Sequence, residues 1–131
     1  KLGAILQKVS DLMHTGDEIP LVSKETPMQD ALLVMTSKML GCVGVTDHEG
    51  KLLGIITDGD LRRWLSTDLL HKKAGDIMTR NPRTTTPDVL AAEALKIMNT
   101  TGKGITQLFV MQDNKPVGII HIHDCLRAGV A

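Results

Sequence analysis

Tyrosine is absent from the 131-residue chain, and one Phe and one Trp are its only aromatic residues of the large kind. So few rings leave little surface on which unpaired bases stack, which argues against a single-strand nucleic-acid binder. An excess of one charge is lacking too, because 15 Lys plus Arg face 15 Asp plus Glu. No overall basicity therefore draws the chain to nucleic acid or to an anionic membrane. No apolar run approaches the roughly 20 residues that span a bilayer, and the N-terminus carries no signal-peptide pattern, so a soluble, cytoplasmic protein is expected. The two cysteines, Cys42 and Cys125, form no CxxC or other zinc spacing and are read as free thiols in a reducing interior. An initiating methionine is also missing, and the start at Lys1 suggests a piece of a longer chain.

What is present is a core: 42% of the residues are hydrophobic. Leu2, Ile5, Leu6, Val9 and Leu12 recur at helical spacing and predict one amphipathic lead-in helix over 1–13. Thr15 to Glu18 reads as a turn, and Ile19 to Val22 as a short edge strand, since Pro20 cannot donate to a ladder. Thr26-Pro27 opens a helix with Met28, Ala31, Leu32, Met35 and Met39 on one face, closed by Gly41. Strands follow over 42–46 and 51–57 around the turn Asp47 to Gly50, then a helix from Gly59 to about Leu65.

The second half repeats the first. Thr84-Thr85-Thr86, a helix from Pro87 through Val89, Ala92, Leu95, Ile97 and Met98, and strands over 108–111 and 115–121 stand in the same order. Gly54 and Gly118, Asp60 and Asp124, and Arg63 and Arg127 are each 64 residues apart. Asp76-Ile77-Met78 echoes Asp11-Leu12-Met13 at 65. A register shared over whole units indicates duplication. One unit of about 60 residues buries little core alone, so two units are expected to pack about a pseudo-twofold with their corresponding loops facing a cleft. The predicted division is a linker helix at 1–14, a first repeat at 15–70 and a second at 71–131.

The duplicated stretch of most interest is Gly54-Ile-Ile-Thr-Asp-Gly-Asp60, an apolar strand running into a threonine with an aspartate three residues on. Its counterpart is Gly118-Ile-Ile-His-Ile-His-Asp124. On spacing alone Thr57 and Asp60 make a capping box. They also suit a nucleotide, since a carboxylate accepts from both ribose hydroxyls and a hydroxyl suits a nearby phosphate. His121 in place of threonine can donate to an acidic group, or be structural. His121, His123, Asp124 and Cys125 hint at a metal, but no second cluster completes four ligands, so no metal site is assigned. Core filling accounts for Met35, Met39 and Met98. The placement of Trp64, under the corner or at a contact between copies, is left open.

Asp-Ile-Met near a repeat's start, the βαββα order and Gly-h-h-Thr-x-x-Asp (h apolar) at the last strand's end resemble the tandem cystathionine-β-synthase (CBS) domain, or Bateman module. The fold class this implies is α+β, with tandem βαββα repeats. Met13 to Pro20, Thr57 to Arg63 and His121 to Val130 are similar, more narrowly, to the C-terminal CBS pair of arabinose 5-phosphate isomerases. That resemblance implies a non-catalytic regulatory fragment whose N-terminal sugar isomerase domain, absent here, serves lipopolysaccharide synthesis by making the precursor of 3-deoxy-manno-octulosonate (Kdo). It implies no required cofactor, a nucleotide or nucleotide-sugar ligand such as the cytidine monophosphate ester of Kdo (CMP-Kdo), and a homodimer of CBS pairs. By the same analogy Asp60 contacts ribose and Thr57 the sugar or phosphate. His121, His123 and Asp124 form the partner pocket. Arg80 and Thr106 reach the first pocket from the second repeat, and Cys42 and Ile105 wall the two pockets. Arg62, Arg63, Arg83 and Lys103 are possible cationic neighbours, though such groups are more often solvated. The rival expectations are an architectural module that only mediates oligomerisation, and an independent enzyme, which the lack of a nucleophile-base pair or paired carboxylates disfavours.

Overall fold

The computed structural model describes residues 2–100 and 105–130. In chain order the elements are α1 (Leu2–Ile5), α2 (Val9–Leu12), β1 (Leu21–Ser23), α3 (Met28–Lys38), β2 (Cys42–Thr46), β3 (Leu52–Thr57), α4 (Asp58–Arg63), α5 (Ala74–Ile77), β4 (Thr79–Arg80), β5 (Thr84–Thr85), α6 (Ala91–Thr100), β6 (Gln107–Gln112), β7 (Lys115–His121) and α7 (Ile122–Arg127). Short 3-10 turns lie at Gly16–Glu18 and Leu69–His71. The chain divides into two compact units, one of residues 20–82, the other of residues 1–19 with 83–131.

In the 20–82 unit the strands run β1-β2-β3-β4, with β1 parallel to β2 and the other neighbours antiparallel. Its core gathers Val22, Met28, Ala31, Met35, Val43, Val45, Ile56, Leu69, Ala74 and Ile77. The other unit repeats the scheme with β5-β6-β7, β5 again parallel and β7 antiparallel to β6. Its core includes Val9, Ala94, Leu95, Met98, Leu108, Val110 and Ile120. Asp113 and Asn114, both at positive φ, close the β6–β7 hairpin, the left-handed pair that a two-residue hairpin turn requires.

A segment laid against the last long strand completes each sheet. Thr79 pairs with Ile55 in the first unit, and His14 bridges Ile119 in the second. The crossing is close enough to demand glycine on the strand. A Cβ at Gly54 would lie 2.6 Å from the Thr79 carbonyl oxygen and 2.8 Å from the Met78 sulfur, and one at Gly118 would lie 2.6 Å from the Met13 sulfur. The Met-Thr and Met-His segments are thus duplicated in space as well as in sequence.

Several sequence expectations need correction. The lead-in helix over 1–13 is two four-residue helices. Residues 7 and 8 leave the helical path because Val9 N–H donates to Val89 C=O, the Ala91 N–H donates to Gln7 C=O, and Lys8 bridges Leu90. The same contacts hold residues 89–90 outside α6, which starts at Ala91 rather than near Pro87. Met39, not Gly41, adopts the left-handed cap of α3, with its N–H on the Met35 carbonyl. That turn throws the Met39 side chain into solvent, 85% exposed, whereas Met35 and Met98 are buried as expected. Among the described residues no helix is long and apolar enough to cross a membrane.

Candidate functional site

The strand-to-helix corner of the 20–82 unit is built around a buried carboxylate. Thr57 is the last residue of β3 and caps α4 in extended conformation, and Asp60 folds back in the capping box. Asp60 Oδ2 accepts the Thr57 N–H at 2.9 Å and the Thr57 hydroxyl at 3.2 Å. Its Oδ1 accepts Arg63 at 2.6 Å and the Thr79 hydroxyl at 2.6 Å. Burial opposes the charge of Asp60, but the hydrogen bonds from Thr79, the Thr57 backbone, Arg63 and the Thr57 hydroxyl outweigh it and hold the carboxyl below its ordinary value. With roughly four lone-pair positions on a carboxylate, Asp60 is saturated by its own unit. A ligand hydroxyl would have to replace one of these donors. Arg63, whose side chain is 65% exposed, gives way at least cost.

The second corner keeps the frame and changes the donors. His121 caps α7, its Nδ1 accepting the His123 N–H at 3.1 Å while the His121 N–H donates to Asp124 Oδ2 at 2.8 Å. His121 therefore fills the position of Thr57 as an acceptor, with its proton on Nε2. Burial first, then the neighbouring His123, push its pKa below the ordinary imidazole value, so the ring is neutral rather than the charged donor that its residue type suggests. The His121 and His123 rings lie 4.7 Å apart, tilted by 53°. Asp124 is buried. Arg127 donates to its Oδ1 at 2.6 Å, and His14 Nε2 lies 2.9 and 3.0 Å from its two oxygens.

The remaining site residues fall around these corners. Cys42, buried, stands opposite Thr57 in the β2–β3 ladder. Arg80 is exposed on β4 opposite Gly54, in the same compact unit as Thr57 and Asp60. Ile105 and the exposed Thr106 precede β6, and the Thr106 carbonyl accepts the Ile122 N–H at 2.7 Å beside His121, while its hydroxyl contacts the Gln107 side chain. His123 is exposed on the first turn of α7. Cys125 is buried, its thiol pushed up by burial and by Asp124. Arg62 and Arg83 are exposed, and Lys103 lies outside the described residues. Trp64 is 41% exposed, with the Lys72 ammonium 5.9 Å from its ring centroid. Among the described residues no group of three or more His, Cys, Asp or Glu side chains is placed to hold a metal.

Sequence reasoning missed Thr79 and His14. The signal was available, since Met78-Thr79 and Met13-His14 stand 65 residues apart inside the motif that opens each repeat. Each supplies a side-chain contact that closes the Asp of its unit.

Residues 9–67 and 74–131 each match the CBS domain family. The chain belongs to that family. It is a CBS pair. An uncharacterized protein of Rickettsia prowazekii is 46% identical to it over 130 residues, covering 99% of this chain and 40% of the relative. Arabinose 5-phosphate isomerase KdsD of Yersinia pestis is 44% identical over 128 residues, 96% of this chain and 38% of the relative. The CBS pair thus spans well under half the length of these relatives. Among solved structures, CBSX2 of Arabidopsis thaliana in complex with AMP superposes with a TM-score of 0.79 at 25% identity, over 94% of this chain and 96% of that one.

Proposed function

We propose that this CBS pair is the regulatory part of an arabinose 5-phosphate isomerase of the cytoplasm, and that it senses a nucleotide or nucleotide-sugar such as CMP-Kdo. One observation carries the reading: a buried carboxylate, Asp60 at 3% and Asp124 at 7% exposure, recurs at the same strand-to-helix corner of both repeats. Burying an acid twice costs free energy that a plain turn need not spend, and two such corners suit hydroxyl-bearing ligands. The AMP complex of the related CBSX2 supports the nucleotide class, and the KdsD relatives support an attached isomerase domain. Binding would bias two arrangements of the protein through its differential affinity for them. In this reading Thr57, Asp60 and Arg80 serve the first corner, with Cys42 behind it. His121, His123, Asp124 and Ile105 serve the second, and Thr106, expected at the first pocket, joins them through its carbonyl on the Ile122 N–H.

Calorimetry and thermal unfolding with CMP-Kdo, CMP, AMP and ATP test the proposal. A ligand present at 100 times its Kd stabilises the folded chain by about 2.7 kcal/mol, a shift of several degrees in Tm. Absence of both heat and shift for all four would leave the second reading, an architectural module that assembles copies without a ligand. The saturation of both carboxylates by internal partners favours that alternative. It predicts a homodimer whose stability ignores nucleotides.

A further inference from the structure

His14 sits between two acids. Its Nδ1 lies 2.8 Å from Glu18 Oε1, and its Nε2 lies 2.9 and 3.0 Å from the oxygens of Asp124. A carboxylate only accepts, and a neutral imidazole offers one N–H and one lone pair. A neutral ring would satisfy one side and turn a lone pair toward an oxygen on the other. Only the imidazolium donates to both.

The groups facing His14 favour that form. Glu18 approaches from the 3-10 turn, Asp124 and Arg127 from α7, and His121 from the end of β7. The two acids attract the proton. Arg127 is engaged on Asp124 and its side chain is 69% exposed, and His121 is held neutral by burial, so neither offsets them. Burial of His14 works against charge, yet the hydrogen bonds to Glu18 and Asp124 outweigh it and raise the ring above its ordinary value of 6.5. The backbone is bonded at the same point, with His14 N–H on Ile119 C=O at 2.8 Å and Ile119 N–H on His14 C=O at 3.0 Å. In the 20–82 unit the corresponding position is Thr79, whose hydroxyl does not titrate near neutrality.

We propose that His14 is a proton-operated latch in the unit of residues 1–19 and 83–131. As an imidazolium it bridges Glu18 and Asp124 and pins the segment 13–18 to β7 and α7. On losing its proton it keeps one carboxylate and frees the other. The device acts in one repeat only, and it does not depend on whether either corner binds a nucleotide. Because the folded-state value is raised, the latch's stabilisation is complete below the ordinary histidine pKa and is lost as pH rises through the folded one.

Nitrogen-15 NMR of the imidazoles in the intact chain, titrated from acid to alkaline pH, tests this. His14 should titrate above 6.5 with N–H on both nitrogens below its midpoint, and the amides of residues 13–18 should shift with the same midpoint. Glu18→Gln, at an exposed position, should lower that midpoint, and His14→Gln should abolish the pH-dependent shift of residues 13–18. A midpoint at or below 6.5, or one that Glu18→Gln leaves unchanged, would overturn the latch.

Discussion

Asp60→Ala is expected to destabilise the chain by about 3 kcal/mol, since hydrogen bonds to a charged group are worth about 1.5–3 kcal/mol each. The side chain accepts from the Thr57 amide, the Thr57 hydroxyl, Thr79 and Arg63. Arg63 contributes least, because a largely exposed ion pair is worth about 0–1 kcal/mol. Thr57 and Thr79 therefore carry the effect, and Thr79→Val should cost more than Arg63→Gln. The pH dependence has a definite sign. Asp60 is held below its ordinary value, so its contribution is present above the unfolded carboxyl pKa and is lost as pH falls through the folded one. Urea unfolding of wild type and Asp60→Asn should show a gap near neutrality that closes in acid. A gap that stayed constant would remove the carboxylate from the account.

Ile77→Ala should cost about 2–5 kcal/mol, as for other buried large-to-alanine changes. Ile77 is 1% exposed and packs with Val22, Met28, Val43 and Ile56, although in sequence it stands in the motif that opens the second repeat. Hydrogen exchange should lose protection first in β1, β2 and β3. Loss confined to β5, β6 and β7 would contradict the division into units. The corner depends on the same segment, since α5 leads to Thr79 and the hydroxyl it donates to Asp60.

The local pattern of each repeat was legible because it is governed by near-neighbour chemistry. β2 over 42–46 and β7 over 115–121 follow from apolar β-forming runs bounded by turn residues, and both strands have those bounds. The 64-residue register exposes the paired corners in the sequence itself. Less was readable where distant hydrogen bonds override periodicity. Residues 1–12 have a helical stripe, but docking of Gln7 and Val9 on residues 89–91 divides it. The completion of each sheet by Met13-His14 or Met78-Thr79 depends on pairing across more than twenty residues in one case and more than a hundred in the other. Periodicity carries no signal for that. At the second corner the residue type suggested a donor, whereas the direction of the His123 amide makes His121 an acceptor.

The proposed function requires that the duplicated corners meet a nucleotide. Backbone NMR of the intact chain, titrated with CMP-Kdo, CMP and AMP, measures this residue by residue. At least one of them is predicted to shift the amides of residues 57–60 together with Thr79 at saturable concentration, with residues 121–124 responding more weakly or to a different ligand. Saturable binding that moved neither corner, or no response to any of the three, would contradict it.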